Sequence, residues 1–213
     1  MFRWSSRRNT SALLMLLLVL GAQQLFGALL IKAKAHLAPL LIGRAWEQSL
    51  ARGGIPVKPW PWADTWPVGR LQVPEQGVDQ FVLAGDSGNA LAFGPGHSLA
   101  SAPLGTAGQA VIGGHRDTHF AFLRELPPNA QLQLQLPGGG RRSYRVSGSW
   151  VVNAEEESLA REVAAESLLL VTCYPFDTLL AGGPLRYVVF ARPLPSSAVA
   201  RAELMESPRG YAL

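Results

Sequence analysis

The 213 residues suffice for one domain plus an extension, and the net charge of +4 is split unevenly along them. Residues 1–58 hold 8 basic and 1 acidic residue, whereas residues 59–213 hold 11 basic and 14 acidic ones. The later part is therefore mildly acidic and carries no basic stripe, which argues against nucleic acid as a partner. A single cysteine, Cys173, excludes an internal disulfide framework.

The first predicted element is apolar. Ser11 to Ile31 is 21 residues without a charge, and a bilayer-crossing helix needs about 20. Arg3, Arg7 and Arg8 precede it, which places residues 1–10 in the cytoplasm and the rest on the exported side of a cytoplasmic membrane. Residues 11–31 are thus expected to be a single-pass signal anchor whose basic flanks suit an anionic membrane surface. A cleavable signal peptide is the competing reading, with Ala33-Lys34-Ala35 as the small-residue cleavage site. Residues 32–67 are expected to be a helical stalk and an arm. Leu37, Leu40, Leu41 and Ala45 continue a helix to Gly53-Gly54. Pro56, Pro59, Pro61 and Pro67 then enforce an extended segment, and Trp60, Trp62 and Trp66 within it are expected to pack on the domain.

Residues 68–194 read as short strands with turns. Strands are expected at 69–73, 80–84, 91–93, 109–112, 132–136 and 143–152, with a short helix at 120–126. The stretch 94–97 reads as a loop, and 155–166 as an acidic, helical excursion. The two strongest strands are 168–173 and 186–191, flanking a loop from Tyr174 to Pro184. Many short strands at this spacing indicate a mainly β barrel or sandwich. Residues 195–213 form a polar tail with a short helix at 198–205.

Three residues with chemistry stand in these elements. Cys173 ends an apolar run, where a strand meets an aromatic, proline-containing loop. Sites collect at such strand ends, and a free thiol on an exported chain is an oxidation liability unless it has a use. A small buried core residue is the plain alternative. His115 follows Gly113-Gly114, whose lack of side chains permits a sharp turn. His97 and His119 read as surface histidines. Arg186 opens a buried strand, where a guanidinium needs a partner. It either pairs with Asp177 or Asp117, or faces a cleft and holds a developing oxyanion. His115-x-Asp117-x-His119 with Cys173 is a poor zinc set, since structural zinc sites use more cysteines. No metal or other cofactor is expected.

In this order the residues resemble the sortase family. Val111-Ile-Gly-Gly-His115-Arg-Asp-Thr-His-Phe120 resembles its histidine segment. Leu170-Val-Thr-Cys173 resembles its Thr-Leu-x-Thr-Cys signature, with the first threonine replaced. Pro184-Leu-Arg186-Tyr-Val-Val189 resembles its arginine strand. The resemblance covers about residues 68–193 and is nearest to the class D type and its proteobacterial relatives. It implies a closed sortase-type β-barrel of about eight strands. It also implies a cysteine transpeptidase that cleaves an LPxTG-like sorting signal after threonine through an acyl-thioester at Cys173. His115 would carry the proton, Arg186 would hold the oxyanion or position the peptide, and Thr172 could reach the substrate. The implied partners are a secreted protein bearing the sorting signal and an amine acceptor. The alternative is a membrane-tethered, non-catalytic barrel that only binds peptide. Other cysteine peptidases of the papain type place the cysteine before the histidine, the reverse of this order.

Overall fold

The structure is a computed structural model and describes residues 5–156, 164–178 and 182–195. The expected helices at 155–166 and 198–205 lie wholly or mainly outside these residues. The chain divides into two compact units, one ending at Leu40 and the other beginning at Leu41. Helix α1 runs from Ser5 to Ala51. Within it, Thr10–Leu29 has a mean hydropathy of 2.0, so it is long and apolar enough to cross a membrane.

In the second unit the last turns of α1 are not a free stalk. Trp46 is 2% exposed and its ring lies 6.1 Å from that of Phe81, while Ile42 clusters with Leu83 and Ala90. The helix stops where Gly53 and Gly54 take φ values of 68° and 94°, and Gly54 N–H donates to the Ser49 carbonyl. Only glycine adopts that backbone readily, which is why the Gly-Gly pair is a stop signal. Along the arm, Trp60 meets Phe93 edge-on at 5.2 Å. Trp62, expected to pack likewise, is 82% exposed.

Eight strands follow: β1 (Pro67–Val73), β2 (Val78–Ala84), β3 (Gly96–His97), β4 (Gln109–Gly113), β5 (Gln131–Gln135), β6 (Arg141–Asn153), β7 (Ser167–Cys173) and β8 (Leu185–Pro193). They close into a barrel in the order β1-β2-β3-β4-β7-β8-β6-β5, with β5 hydrogen-bonded back to β1. Alternation dictates the interior. Leu71 and Val73 of β1, Leu132 and Leu134 of β5, Leu168 and Leu170 of β7, and Val189 and Ala191 of β8 share one core. Leu169 and Val171, the residues between, join Val188 and Val152 in a second cluster on the opposite face of the sheet.

Two local expectations are corrected. Leu91–Phe93 is no strand; a one-turn helix, α2 (Gly88–Leu91), ends there. The Gly94–His97 stretch is not all loop, since Gly96 and His97 form β3 between β2 and β4. A two-residue strand has no periodicity to read. Gly96 is there because a Cβ would stand 2.1 Å from the Gly85 carbonyl oxygen. The expected helix at 120–126 is a 3-10 helix, Ala121–Glu125, ending before Pro127-Pro128.

One buried polar contact tests the packing of β6 against the start of β7. Tyr144 is 1% exposed, and its hydroxyl donates to Glu166 Oε1 at 2.6 Å. Burial, then the carboxylate of Glu166, holds the phenol protonated well above the usual tyrosine range. Tyr144→Phe removes this bond and leaves the Glu166 carboxylate only Arg142 Nε, at 3.8 Å, so it is expected to cost about 1 kcal/mol. Urea unfolding would show it as a lower midpoint at unchanged slope.

Candidate active site

The register of the barrel brings the three sequence-predicted residues to one end of adjacent strands. β4 and β7 run parallel, with Gly113 opposite Val171 as their last pair. Cys173 ends β7 two residues beyond that pair, and His115 lies two residues beyond it in the turn that follows β4. β8 returns antiparallel to β7, and Cys173 pairs directly with Arg186. Side chains of such a pair project to the same face. On β7 that face carries Leu169 and Val171, so the thiol stands at the rim of the second apolar cluster. Cys173 is half-buried and His115 is exposed.

The turn bearing His115 is fixed from three sides. Gly114 N–H donates to the Val171 carbonyl at 3.1 Å. Phe120 N–H donates to the His115 carbonyl at 2.9 Å, closing the turn. Thr172 Oγ1 donates to the Gly114 carbonyl at 2.7 Å. Thr172 is 2% exposed, so its hydroxyl is spent on this turn rather than extended toward a bound peptide. Gly114 faces the Phe120 ring so closely that a Cβ would meet its carbons at 2.7–3.0 Å.

Arg186 meets neither of the carboxylates expected for it. Asp177 pairs instead with Arg124, at 2.5 Å. The Arg186 guanidinium donates from Nη1 to the carbonyls of Gly183 at 2.7 Å and Leu185 at 2.9 Å. Its charge meets no carboxylate among the described residues, beside the thiol. Arg116 reaches from the histidine turn to the Thr178 carbonyl at 2.8 Å, tying that turn to the loop after Cys173.

His97 and His119 are less exposed than the sequence indicated. His97 is 7% exposed, with Nε2 2.9 Å from the Ala102 carbonyl. His119 is partly buried and titrates below the usual histidine range, chiefly through desolvation and then through the nearby charge of His115. Asp117 and a hydrogen bond with the Leu91 backbone oppose this without reversing it. The unfolded chain therefore binds this proton more readily than the folded one. The stability linked to His119 is complete above the unfolded value of 6.5 and is lost as pH falls through it toward the lower folded value. The melting temperature should drop between about pH 7 and pH 5, and drop less in His119→Gln. Among the described residues, no three His, Cys, Asp or Glu side chains converge as metal ligands.

Sequence reasoning missed the group lining the space beside these residues: Arg124, Tyr174, Phe176, Asp177 and Tyr187. The aromatic stretch after Cys173 was a signal for part of it. Nothing in the sequence marked Arg124, an arginine on a short 3-10 helix.

A parallel β4–β7 pair that carries a Gly-His turn and a terminal cysteine, with an arginine across on β8, matches the family pattern, and comparison decides it. Residues 71–194 match the sortase domain family. The chain belongs to the sortase family. It is 31% identical over 125 residues to Sortase D of Bacillus subtilis (strain 168), a match covering 58% of this chain and 62% of that relative. Sortase A from Corynebacterium diphtheriae superposes with a TM-score of 0.55 at 19% identity, covering 83% of this chain and 95% of that one. The pilus-related Sortase C of Group B Streptococcus gives 0.54 at 24% identity, covering 61% and 68%. At these identities the two structures establish the shared fold, the sortase barrel.

Proposed function

We propose that this sortase is a membrane-anchored cysteine transpeptidase whose nucleophile is Cys173. The single observation that supports the reading is the strand register: Gly113, two residues before His115, pairs with Val171, two residues before Cys173, and Cys173 pairs with Arg186. A thiolate attacks the carbonyl after the threonine of an LPxTG-like sorting signal. His115 gives a proton to the leaving amine, and an acyl-thioester remains. An incoming amine then attacks the thioester and gives its proton back to the site. Arg186, held by two carbonyls, places its cation where the oxyanion forms. Thr172 acts one step away, as a positioning residue for the His115 turn.

The helix Thr10–Leu29 would anchor the chain, with the barrel on the exported side of the cytoplasmic membrane. Enzyme and membrane-held substrate would then share one surface, which raises their effective concentration. The test is mass spectrometry of the full-length chain in detergent, incubated with a mixture of Leu-Pro-Xaa-Thr-Gly peptides. A thioester on Cys173, cleaved after threonine, is the expected product. Peptide binding without any covalent adduct would instead select a non-catalytic binding barrel.

A further inference from the structure

A pocket of about 290 Å³ opens next to the site, lined by Arg124, Tyr174, Pro175, Phe176, Asp177 and Tyr187. Every site segment contributes to it. Arg124 follows the His115 turn, Tyr174 to Asp177 follow Cys173, and Tyr187 follows Arg186. Neither Cys173 nor His115 lines it, so whatever fills it is a neighbour of the reacting atoms rather than one of them.

Its walls are aromatic. The Phe176 ring lies 5.3 Å from Tyr187 and 6.2 Å from Tyr174, and Tyr174 stacks on Tyr187 at 6.4 Å. Its charge is an open ion pair. The Arg124 guanidinium sits 5.2 Å from the Phe176 centroid and 2.5 Å from Asp177. The two side chains are 47% and 84% exposed, so each still has donor or acceptor capacity turned to solvent. A lone cation would be repelled by Arg124 and a lone anion by Asp177. A ligand carrying both charges would replace one ion pair with two.

The pocket's Tyr187 lies across the end of the sheet from the thiol. Thr172 and Tyr187 pair across β7 and β8 on the sheet face opposite Cys173 and Arg186. By microscopic reversibility the incoming amine takes the leaving amine's place, so an acceptor held in the pocket must extend its amine across the end of β7 to the thioester.

We propose that this pocket binds the amino-acid end of the acceptor, its α-carboxylate on Arg124 and its α-ammonium on Asp177, while a side-chain amine attacks the thioester. The aromatic walls take the methylene stem. In that step the amine nitrogen forms a bond to the acyl carbon, the carbon–sulfur bond breaks, the thiol is regenerated, and the surplus amine proton passes through His115. The proposal rests on the transpeptidase reading.

The test uses the full-length chain, the Leu-Pro-Xaa-Thr-Gly mixture and four acceptors at equal concentration. L-lysine has both end groups, cadaverine lacks the carboxylate, ε-aminocaproate lacks the α-ammonium, and pentylamine lacks both. Mass spectrometry reads the ratio of amide products, which cancels any general change in activity. Lysine is expected to exceed pentylamine by about tenfold or more, with the other two between, as charge-assisted pairs of this kind allow. Arg124→Gln should bring lysine down to the level of cadaverine. Asp177→Asn should bring it down to ε-aminocaproate. Equal yields from all four acceptors would overturn the proposal and leave the thioester chemistry standing. So would a preference for positive charge alone, or variants that leave the ratios intact. Absence of any Cys173 adduct would overturn the transpeptidase reading and this proposal together.

Discussion

Replacing Cys173 by alanine should abolish the acyl-enzyme while the barrel survives. The thiol is the only one in the chain, so no second thiol can take its place. It sits half-buried at the last residue of β7, and its loss removes little packing. The expected change in folding free energy is within about 1 kcal/mol, as for a small substitution outside the core. The catalytic loss should be of the size seen when a nucleophile is deleted, roughly 10⁴-fold or more. Intact-mass spectrometry of the peptide-treated variant reads the adduct, and a thermal melt reads the fold. Turnover at the parent rate in Cys173→Ala would sink the proposed function.

Gly114→Ala should be nearly as damaging, though Gly114 has no chemistry. A Cβ there would meet the Phe120 ring at 2.7–3.0 Å, closer than real side chains pack. Phe120 is fully buried against the core, so the ring cannot simply swing away. The strain would be relieved by moving the turn, and His115 is the next residue. Misplacing a proton carrier by about 1 Å can cost roughly a hundredfold in rate. Turnover should fall by about that factor, with a modest loss of stability. Phe120→Leu in the same chain should recover part of the rate, because a smaller side chain leaves room for the methyl. If Gly114→Ala turned over like the parent, the turn would not be what aims His115.

The proposed trio of His115, Cys173 and Arg186 could be picked out in the sequence because each member stands in a local signal. Two glycines before His115, an apolar run ending at Cys173 and an arginine opening β8 are contiguous signals. The short strands were legible, β5 from its alternation, but they left barrel or sandwich open; closure into a barrel was implied by the family resemblance. Thr172 shows where that reading stops. Its neighbour is the nucleophile, but its place in the alternation, after Leu168 and Leu170, turns it inward to the Gly114 carbonyl. Arg186 and Asp177 were natural partners on paper. Asp177 is taken by Arg124, 53 positions away, a pairing that only the folded loops create. His97 is buried because β3 exists, and β3 exists only as a guest between β2 and β4. Such elements follow from closure of the sheet and have no signature of their own.

The parallel pairing of β4 with β7 has a consequence for the order of events in folding. Parallel neighbours cannot be joined by a tight hairpin, and here the crossover takes in β5 and β6 as well. The contact from Thr172 to Gly114 spans 58 positions. Contacts of that range form late, after the loop-closure entropy has been met. The imidazole and the thiol are therefore strangers in the nascent chain and meet only when the barrel shuts. Until then the proposed nucleophile and proton carrier stay apart, so on this reading the chemistry would arrive only with completion of the fold.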